Sequence, residues 1–136
     1  MSVVVDASVL IEYLVNTGRN GQWAEQVMRQ DELYAPELIY AESMNGLRRL
    51  ELAGQIRSPE ARMAVDELQQ FVFNLFSIEA FAERAWELRH VLTIYDAWYV
   101  ALAESLQLPL ATLDLRMTKA RGVRCDFLLP PGLKLQ

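Results

Sequence analysis

The segment from Thr93 to Asp114 constrains the fold more than any other part of the chain, because it reads as one connected unit. It contains a capped helix, a short turn at Pro109, a buried strand from Leu110 to Leu113, and an acid where the strand stops. Thr93 followed three residues later by Asp96 is an N-terminal capping pattern, with Asp in place of the usual Glu, so a helix should begin there. At about 100° per residue, Val100 and Ala103 fall on the same helical face as Asp96, which sets a carboxylate at the rim of an apolar surface. Asp114 ends the strand that follows, and in α/β sheets strand ends are where polar groups meet ligands.

Of the 136 residues, 52% are hydrophobic, which is enough for one domain over residues 1–136 with its own core. No apolar run approaches the roughly 20 residues needed to cross a bilayer. The N-terminus enters Val3-Val4-Val5-Asp6 with no basic region or cleavage site, so the expectation is a soluble, cytoplasmic protein away from the membrane. Cys125 is the sole cysteine, which excludes an internal disulfide, a redox pair and a thiolate metal cage. His90 is the sole histidine and lies in a helix end where such a residue is ordinary, leaving no basis for a Ser-His or Cys-His catalytic pair.

A net charge of −5 argues against gripping nucleic acid by bulk electrostatics. The charge is unevenly placed, however. Between Leu115 and Cys125 stand Arg116, Lys119, Arg121 and Arg124 with no acid, and Arg48-Arg49 form a second basic spot. These lie close in sequence to Asp114 and Glu42, and Arg116, Lys119 and Arg121 are the candidates for phosphate contact.

Taken from the N-terminus, Val3-Val4-Val5 has the β-branched composition of a central parallel strand and ends in Asp6. Asp6-Ala7-Ser8 opens a helix over Val9–Leu14, residues 16–21 read as a loop, and Gln22–Arg29 as a second helix. Glu32–Ala35 is a strand stopped by Pro36, and Glu37–Leu52 a long helix with Gly54 as its stop signal. Along that helix Ile39, Gly46, Leu47 and Leu50 form the apolar stripe, with Glu42 at its edge beside Asn45 and Arg49. Ser58-Pro59-Glu60 starts another helix, running to Gln70. A strand over Asn74–Phe76, a helix over Ile78–Val91 capped by Ser77, a short helix ended by Gly122 and a last strand around Cys125–Leu128 complete the reading. Strands alternating with helices imply an α/β fold, a mainly parallel sheet flanked by helices.

Asp6, Glu42, Asp96 and Asp114 share a property that the other acids lack: each ends an apolar strand or borders an apolar helix face. Each also has a purely structural explanation, as N-cap, capping-box acid or surface residue. Right-handed β-α-β connections nevertheless carry the C-terminal ends of parallel strands to one sheet edge. Four carboxylates meeting there raise one another's pKa values, and a divalent cation resolves the conflict. Mg²⁺ or Mn²⁺ takes oxygen ligands and substrate phosphates, which describes phosphodiester hydrolysis.

Four blocks carry a family resemblance: Val4-Val5-Asp6-Ala7-Ser8-Val9-Leu10, Glu42-Ser43-Met44-Asn45-Gly46-Leu47-Arg48-Arg49, Tyr95-Asp96-Ala97-Trp98-Tyr99-Val100-Ala101-Leu102-Ala103, and Leu110-Ala111-Thr112-Leu113-Asp114. In order and spacing the chain resembles the PIN-domain ribonucleases, specifically the VapC-type toxins of bacterial toxin–antitoxin pairs. The resemblance implies a PIN-like fold, an Mg²⁺- or Mn²⁺-dependent endoribonuclease acting on RNA, a homodimer, and inhibition by a small antitoxin protein. It also implies that Asp6, Glu42, Asp96 and Asp114 form the acidic metal site, with Ser8 and Thr112 as supporting hydroxyls. Where some members add another acid after the last aspartate, this chain has Leu115, Arg116 and Met117. A receiver-type phosphoacceptor would need an acidic pair after the first strand, and an aspartyl phosphohydrolase a second Asp two residues after Asp6, where Ser8 stands. The alternative left open is a PIN-like scaffold that binds metal or antitoxin without turnover.

One further expectation concerns the aromatic residues. Trp98 and Tyr99 are helical neighbours and cannot share a face, so one of them should stay near the surface.

Overall fold

The computed structural model describes residues 1–16 and 18–133. Five strands, β1 (Ser2–Val5), β2 (Glu32–Pro36), β3 (Asn74–Phe76), β4 (Leu110–Ala111) and β5 (Phe127–Leu128), form a sheet in the order β3-β2-β1-β4-β5. Every pairing is parallel: Val4 of β1 lies opposite Tyr34 of β2 and Leu110 of β4, and Tyr34 opposite Asn74. The helices are α1 (Ala7–Val15), α2 (Arg19–Met28), α3 (Ile39–Leu52), α4 (Ser58–Leu68), α5 (Ala82–Glu87), α6 (Ile94–Leu106) and α7 (Leu115–Thr118).

β1 is central because Val3, Val4 and Val5 are fully buried, and the strand period sends them to opposite faces. Val3 and Val5 join Leu33, Ala35 and Ala111 in a core with Val9 and Leu10 of α1, Ala24 and Val27 of α2 and Ile39 of α3. Val4 and Leu110 point the other way, into a second core with Ala85 of α5, Leu102 of α6 and Met117 of α7. Each fully buried valine or leucine contributes about 1.5–3 kcal/mol, so the sheet is sealed on both faces. Gly46 lets α3 approach α1 closely, since a Cβ there would lie 2.2 Å from Ile11 Cδ1. One turn earlier on α3 stands Glu42, so the same approach carries Glu42 toward the end of β1.

Several boundaries differ from the sequence reading. α2 begins at Arg19, inside the expected loop, with Gly21 packed so closely on the backbone of Asn16 that a Cβ would lie 1.8 Å from its carbonyl oxygen. α3 starts two residues later than expected, at Ile39. At α4 the N-cap is Arg57, whose N–H donates to Glu60 Oε1 (3.2 Å), while the Ser58 hydroxyl turns to Glu51. The expected helix over 78–91 divides into a 3₁₀ turn at Ile78–Phe81 and the short α5, after which the N–H groups of Val91 and Leu92 both donate to the Leu88 carbonyl. α6 ends before Pro109, at Gln107 in the left-handed region (φ 56°), where the Leu108 N–H donates to Ala103 and the Gln107 N–H to Glu104.

A partly buried ion pair ties the last third of the chain together. Arg84 of α5 donates to both oxygens of Glu104 on α6 (2.7 and 3.1 Å) and to the Gly122 carbonyl (2.7 Å), and the Arg124 N–H donates to Glu104 Oε2 (2.7 Å). Burial alone would raise the Glu104 pKa, but the hydrogen bonds from Arg84 and Arg124 outweigh it and hold the carboxyl below its ordinary value. Its stabilisation is therefore present above the unfolded-state pKa and lost as pH falls through the lower folded value. Glu104→Ala removes the main partner of half-buried Arg84, leaving it Glu87 and the Gly122 carbonyl, and should cost about 2 kcal/mol, less than a fully buried pair because both side chains reach solvent. Urea denaturation should show a lower midpoint at unchanged slope; an unaltered midpoint would reduce the pair to surface decoration.

Candidate active site

Asp6 is the residue after β1 and also the N-cap of α1, its Oδ1 accepting from the Val9 N–H (3.3 Å). It is 5% exposed, and two hydroxyls hold it: Ser8 Oγ donates to Oδ1 (2.5 Å) and Thr112 Oγ1 donates to Oδ2. Those hydroxyls also stitch the ends of β1 and β4 together, because Ser8 Oγ accepts from the Leu113 N–H (3.0 Å) and Thr112 Oγ1 from the Asp114 N–H (3.0 Å). This is why β4 stops at Ala111 instead of running to Leu113 as the apolar run suggests. The backbone beyond it turns to bring its N–H groups to the hydroxyls.

The remaining acids arrive from three other elements. Glu42 lies in the first turn of α3 and accepts from the Tyr99 hydroxyl at Oε1 (2.8 Å). Asp96 lies in the first turn of α6, whose N-cap Thr93 accepts from the Asp96 N–H (3.2 Å). Asp114 is the N-cap of α7 and accepts from the backbone and guanidinium of Arg116. Asp6, Glu42, Asp96 and Asp114 all line one cavity of about 180 Å³, together with Ser8, Arg49 and Tyr99. Among the described residues no three acids stand at the mutual spacing of a formed cation site, as Glu42 is turned to Tyr99 and Asp114 to Arg116.

The electrostatics follow from burial and crowding. Burial pushes Asp6 up to about 6 against the pull of its hydroxyl and N–H donors, and Glu42 adds repulsion. Glu42 is raised by burial and by Asp96, with Tyr99 and Arg49 opposing; Asp96 is raised by burial and by Asp114, with Thr93 and Arg116 opposing. Tyr99 is raised by burial and by Glu42, so its hydroxyl stays protonated and remains a donor. The donor set is entirely oxygen, and three of its carboxyls are held toward neutrality by surroundings that a hard divalent cation would reverse; in chemistry the residues fit Mg²⁺ or Mn²⁺.

The basic residues divide. Arg116 reaches the site but is paired with Asp114 (3.1 Å), whereas Lys119 and Arg121 are exposed and do not line the acidic cavity. Two polar lining residues, Arg49 and Tyr99, were not site candidates from sequence. Tyr99 is 1% exposed and Trp98 half-buried, so the two neighbours do part as expected with Trp98 the nearer to the surface, while the exposed aromatic of this helix is Tyr95. A usable signal for Tyr99 was its spacing from Asp96, three positions along one helix face. Arg49 neighbours Glu42 in helical projection, yet its place in the cavity depends on how α3 packs against α1.

The PIN domain family profile matches residues 3–123. A VapC ribonuclease of Mycobacterium bovis is 34% identical over 129 residues, covering 95% of this chain and 98% of its own length. Ribonuclease VapC1 of Mycobacterium tuberculosis is 36% identical over 127 residues, covering 93% and 96%. Among solved structures, FitAcB from Neisseria gonorrhoeae superposes with a TM-score of 0.70 at 18% identity, covering 96% of this chain and 99% of that one. VapC20 of Mycobacterium tuberculosis, a sarcin–ricin loop cleaving toxin, superposes with a TM-score of 0.64 at 15% identity, covering 85% and 92%. In sequence and in the parallel sheet that places its acids, this chain belongs to the PIN-domain family and is of the VapC type.

Proposed function

We propose that this protein is a divalent-metal-dependent endoribonuclease, the toxin of a toxin–antitoxin pair. The observation that carries the reading is the convergence of Asp6, Glu42, Asp96 and Asp114, from four separate elements, on one small cavity at the C-terminal edge of the sheet. Relatives that share a third of its sequence are named VapC ribonucleases, which supports RNA as the substrate class. A toxin–antitoxin complex from Klebsiella pneumoniae and VapBC2 of Rickettsia felis, the latter bound to a promoter DNA fragment, share the fold, which supports a small antitoxin partner for this chain. A homodimer is part of the same reading.

In this proposal the four carboxylates hold Mg²⁺ or Mn²⁺, whose chemistry when bound is water activation and neutralisation of charge on the phosphate. Ser8 and Thr112 fix both oxygens of Asp6, so this ligand is oriented before substrate arrives, while Tyr99 holds Glu42 by one oxygen and Glu42 would turn its carboxylate to the cation on binding. Burial of Asp6 keeps bulk water from competing for its carboxylate.

RNA cleavage should require Mg²⁺ or Mn²⁺ and disappear in excess chelator. Asp96→Asn keeps the size of the side chain while removing a charged ligand, so activity should be lost with circular dichroism and melting temperature retained. Activity that persists in chelator would refute the metal requirement. If the variant instead loses activity only in proportion to its loss of fold, Asp96 is a helix-start residue and nothing more. The non-catalytic scaffold reading predicts metal binding by calorimetry with no cleavage of any RNA tested.

A further inference from the structure

Arg49 stands where three cavities meet. It lines the acidic cavity, a groove of about 430 Å³ on one side bordered by Ser8, Ile11, Gly46 and Leu113, and a second space of about 430 Å³ on the other side bordered by Leu38, Glu42, Asn45 and Tyr95. The three share residues in sequence: Ser8 and Ile11 join the first groove to the acids, and Glu42 joins the acids to the second. Together they form a trough along α3 with the carboxylates at its middle.

Among the described residues lining the acidic cavity, Arg49 is the one cation, and it makes no salt bridge there. Its guanidinium lies beside Gly46, with Nη2 4.0 Å from where a Cβ would sit, an ordinary van der Waals distance. At the far side Tyr95 leaves 60% of its surface exposed, immediately before Asp96. An acidic cavity can admit a polyanion only if something beside it offsets the like charge, and a free guanidinium suits a phosphate. An exposed aromatic ring one step away offers a face that an unpaired base can stack on, whereas a duplex keeps its bases paired inside.

We propose that single-stranded RNA crosses the acidic cavity along α3, with Arg49 binding the phosphate nearest the acids and the Tyr95 ring carrying the neighbouring base. This rests on the ribonuclease reading above and adds to it a strand path and two binding residues. The arrangement selects unpaired RNA, since Tyr95 can act only on a base outside a helix.

The test measures fluorescence anisotropy of a labelled, short, mixed-sequence single-stranded RNA in an Asp96→Asn background with Mg²⁺, which keeps the RNA intact. Arg49→Gln should weaken binding about tenfold and lower the slope of log affinity against log salt by about 0.7, the value of one phosphate contact on a single strand. Tyr95→Ala should weaken binding about tenfold at unchanged slope, with affinity restored in Tyr95→Phe. Double-stranded RNA of the same sequence should compete poorly. If the wild-type chain cleaves RNA yet neither substitution alters binding, the strand path is wrong while the ribonuclease reading stands; a wild-type chain that cleaves no RNA removes the ribonuclease reading itself. Sedimentation of Tyr95→Ala is run alongside, and a change of mass would make Tyr95 a subunit contact and overturn its assignment to a base. Loss of a co-expressed protein partner with RNA binding intact would likewise overturn the proposal, giving the trough to protein.

Discussion

Asp6→Asn is expected to abolish RNA cleavage and, in metal-free buffer near neutral pH, to make the protein more stable. The loss of activity should be about a hundredfold or more, because even residues that only orient metal ligands are worth about 10–100-fold. The gain in stability follows from the carboxyl's surroundings. Burial raises Asp6 from 3.8 to about 6, so above that pH the fold carries a buried carboxylate with hydrogen bonds but no counter-ion. A shift of that size corresponds to about 3 kcal/mol of lost stability, as an order of magnitude. Asparagine removes the charge, keeps an oxygen that can accept from the Val9 N–H, and meets two hydroxyls that can each act as donor or acceptor. A net gain of about 1–3 kcal/mol is therefore expected.

The sign of the pH dependence gives a second readout of the same substitution. A carboxyl whose folded pKa is raised holds an extra proton in the native state between the unfolded and folded values, here between about 4 and about 6. Across that window Asp6 makes stability fall as pH rises, and above it the penalty is constant. Glu104, held below its ordinary value, contributes with the opposite sign, so the difference between variant and wild type isolates Asp6. Urea midpoints from pH 4 to 8 should converge at the acid end, separate between about pH 4 and about 6, and keep a constant difference above that. A variant less stable than wild type at pH 7.5 would mean that the hydroxyl network, and not the charge, decides the energetics of this position.

Such a penalty is what a site kept for function looks like, and it explains why the site was partly readable in sequence. Strand-end acids such as Asp6 and Asp114 stand out because an apolar strand makes their environment predictable from neighbours alone. The capping of α6 by Thr93 and the strand at Asn74–Phe76 were legible for the same reason: their determinants are local. For Tyr99 the spacing from Asp96 signals only a shared helix face, and its role stays illegible because it is fixed by Glu42, 57 residues away. The ends of β4 and α4 were misplaced where a polar contact outranked local pattern. Thr112 and Leu113 leave the strand to serve Asp6 and Ser8, and Ser58 prefers Glu51 to capping its own helix. The expected 78–91 helix divides into a 3₁₀ turn and the short α5, and both parts still send a side chain, Phe81 and Leu88, into the core shared with α6.

Cation binding itself should be coupled to proton release and to a large gain in stability. Carboxylate ligands must be ionised to bind a cation, and burial holds Asp6 near half-protonation at about pH 6, with Glu42 and Asp96 shifted in the same direction. Titrating Mn²⁺ at pH 6 in two buffers of different ionisation enthalpy should therefore reveal net proton release, and affinity should fall by about tenfold per pH unit for each proton displaced. Binding also removes the electrostatic penalty described for Asp6. At a free cation concentration of about 100 times the dissociation constant, linkage alone adds about 2.7 kcal/mol, or about 10 °C in melting temperature for a chain of this size. Asp6→Asn should lose most of that shift even though its metal-free form melts higher. A melting temperature that rises equally with Mn²⁺ in both proteins, with no proton released at pH 6, would place any bound cation elsewhere and leave the four acids without their proposed role.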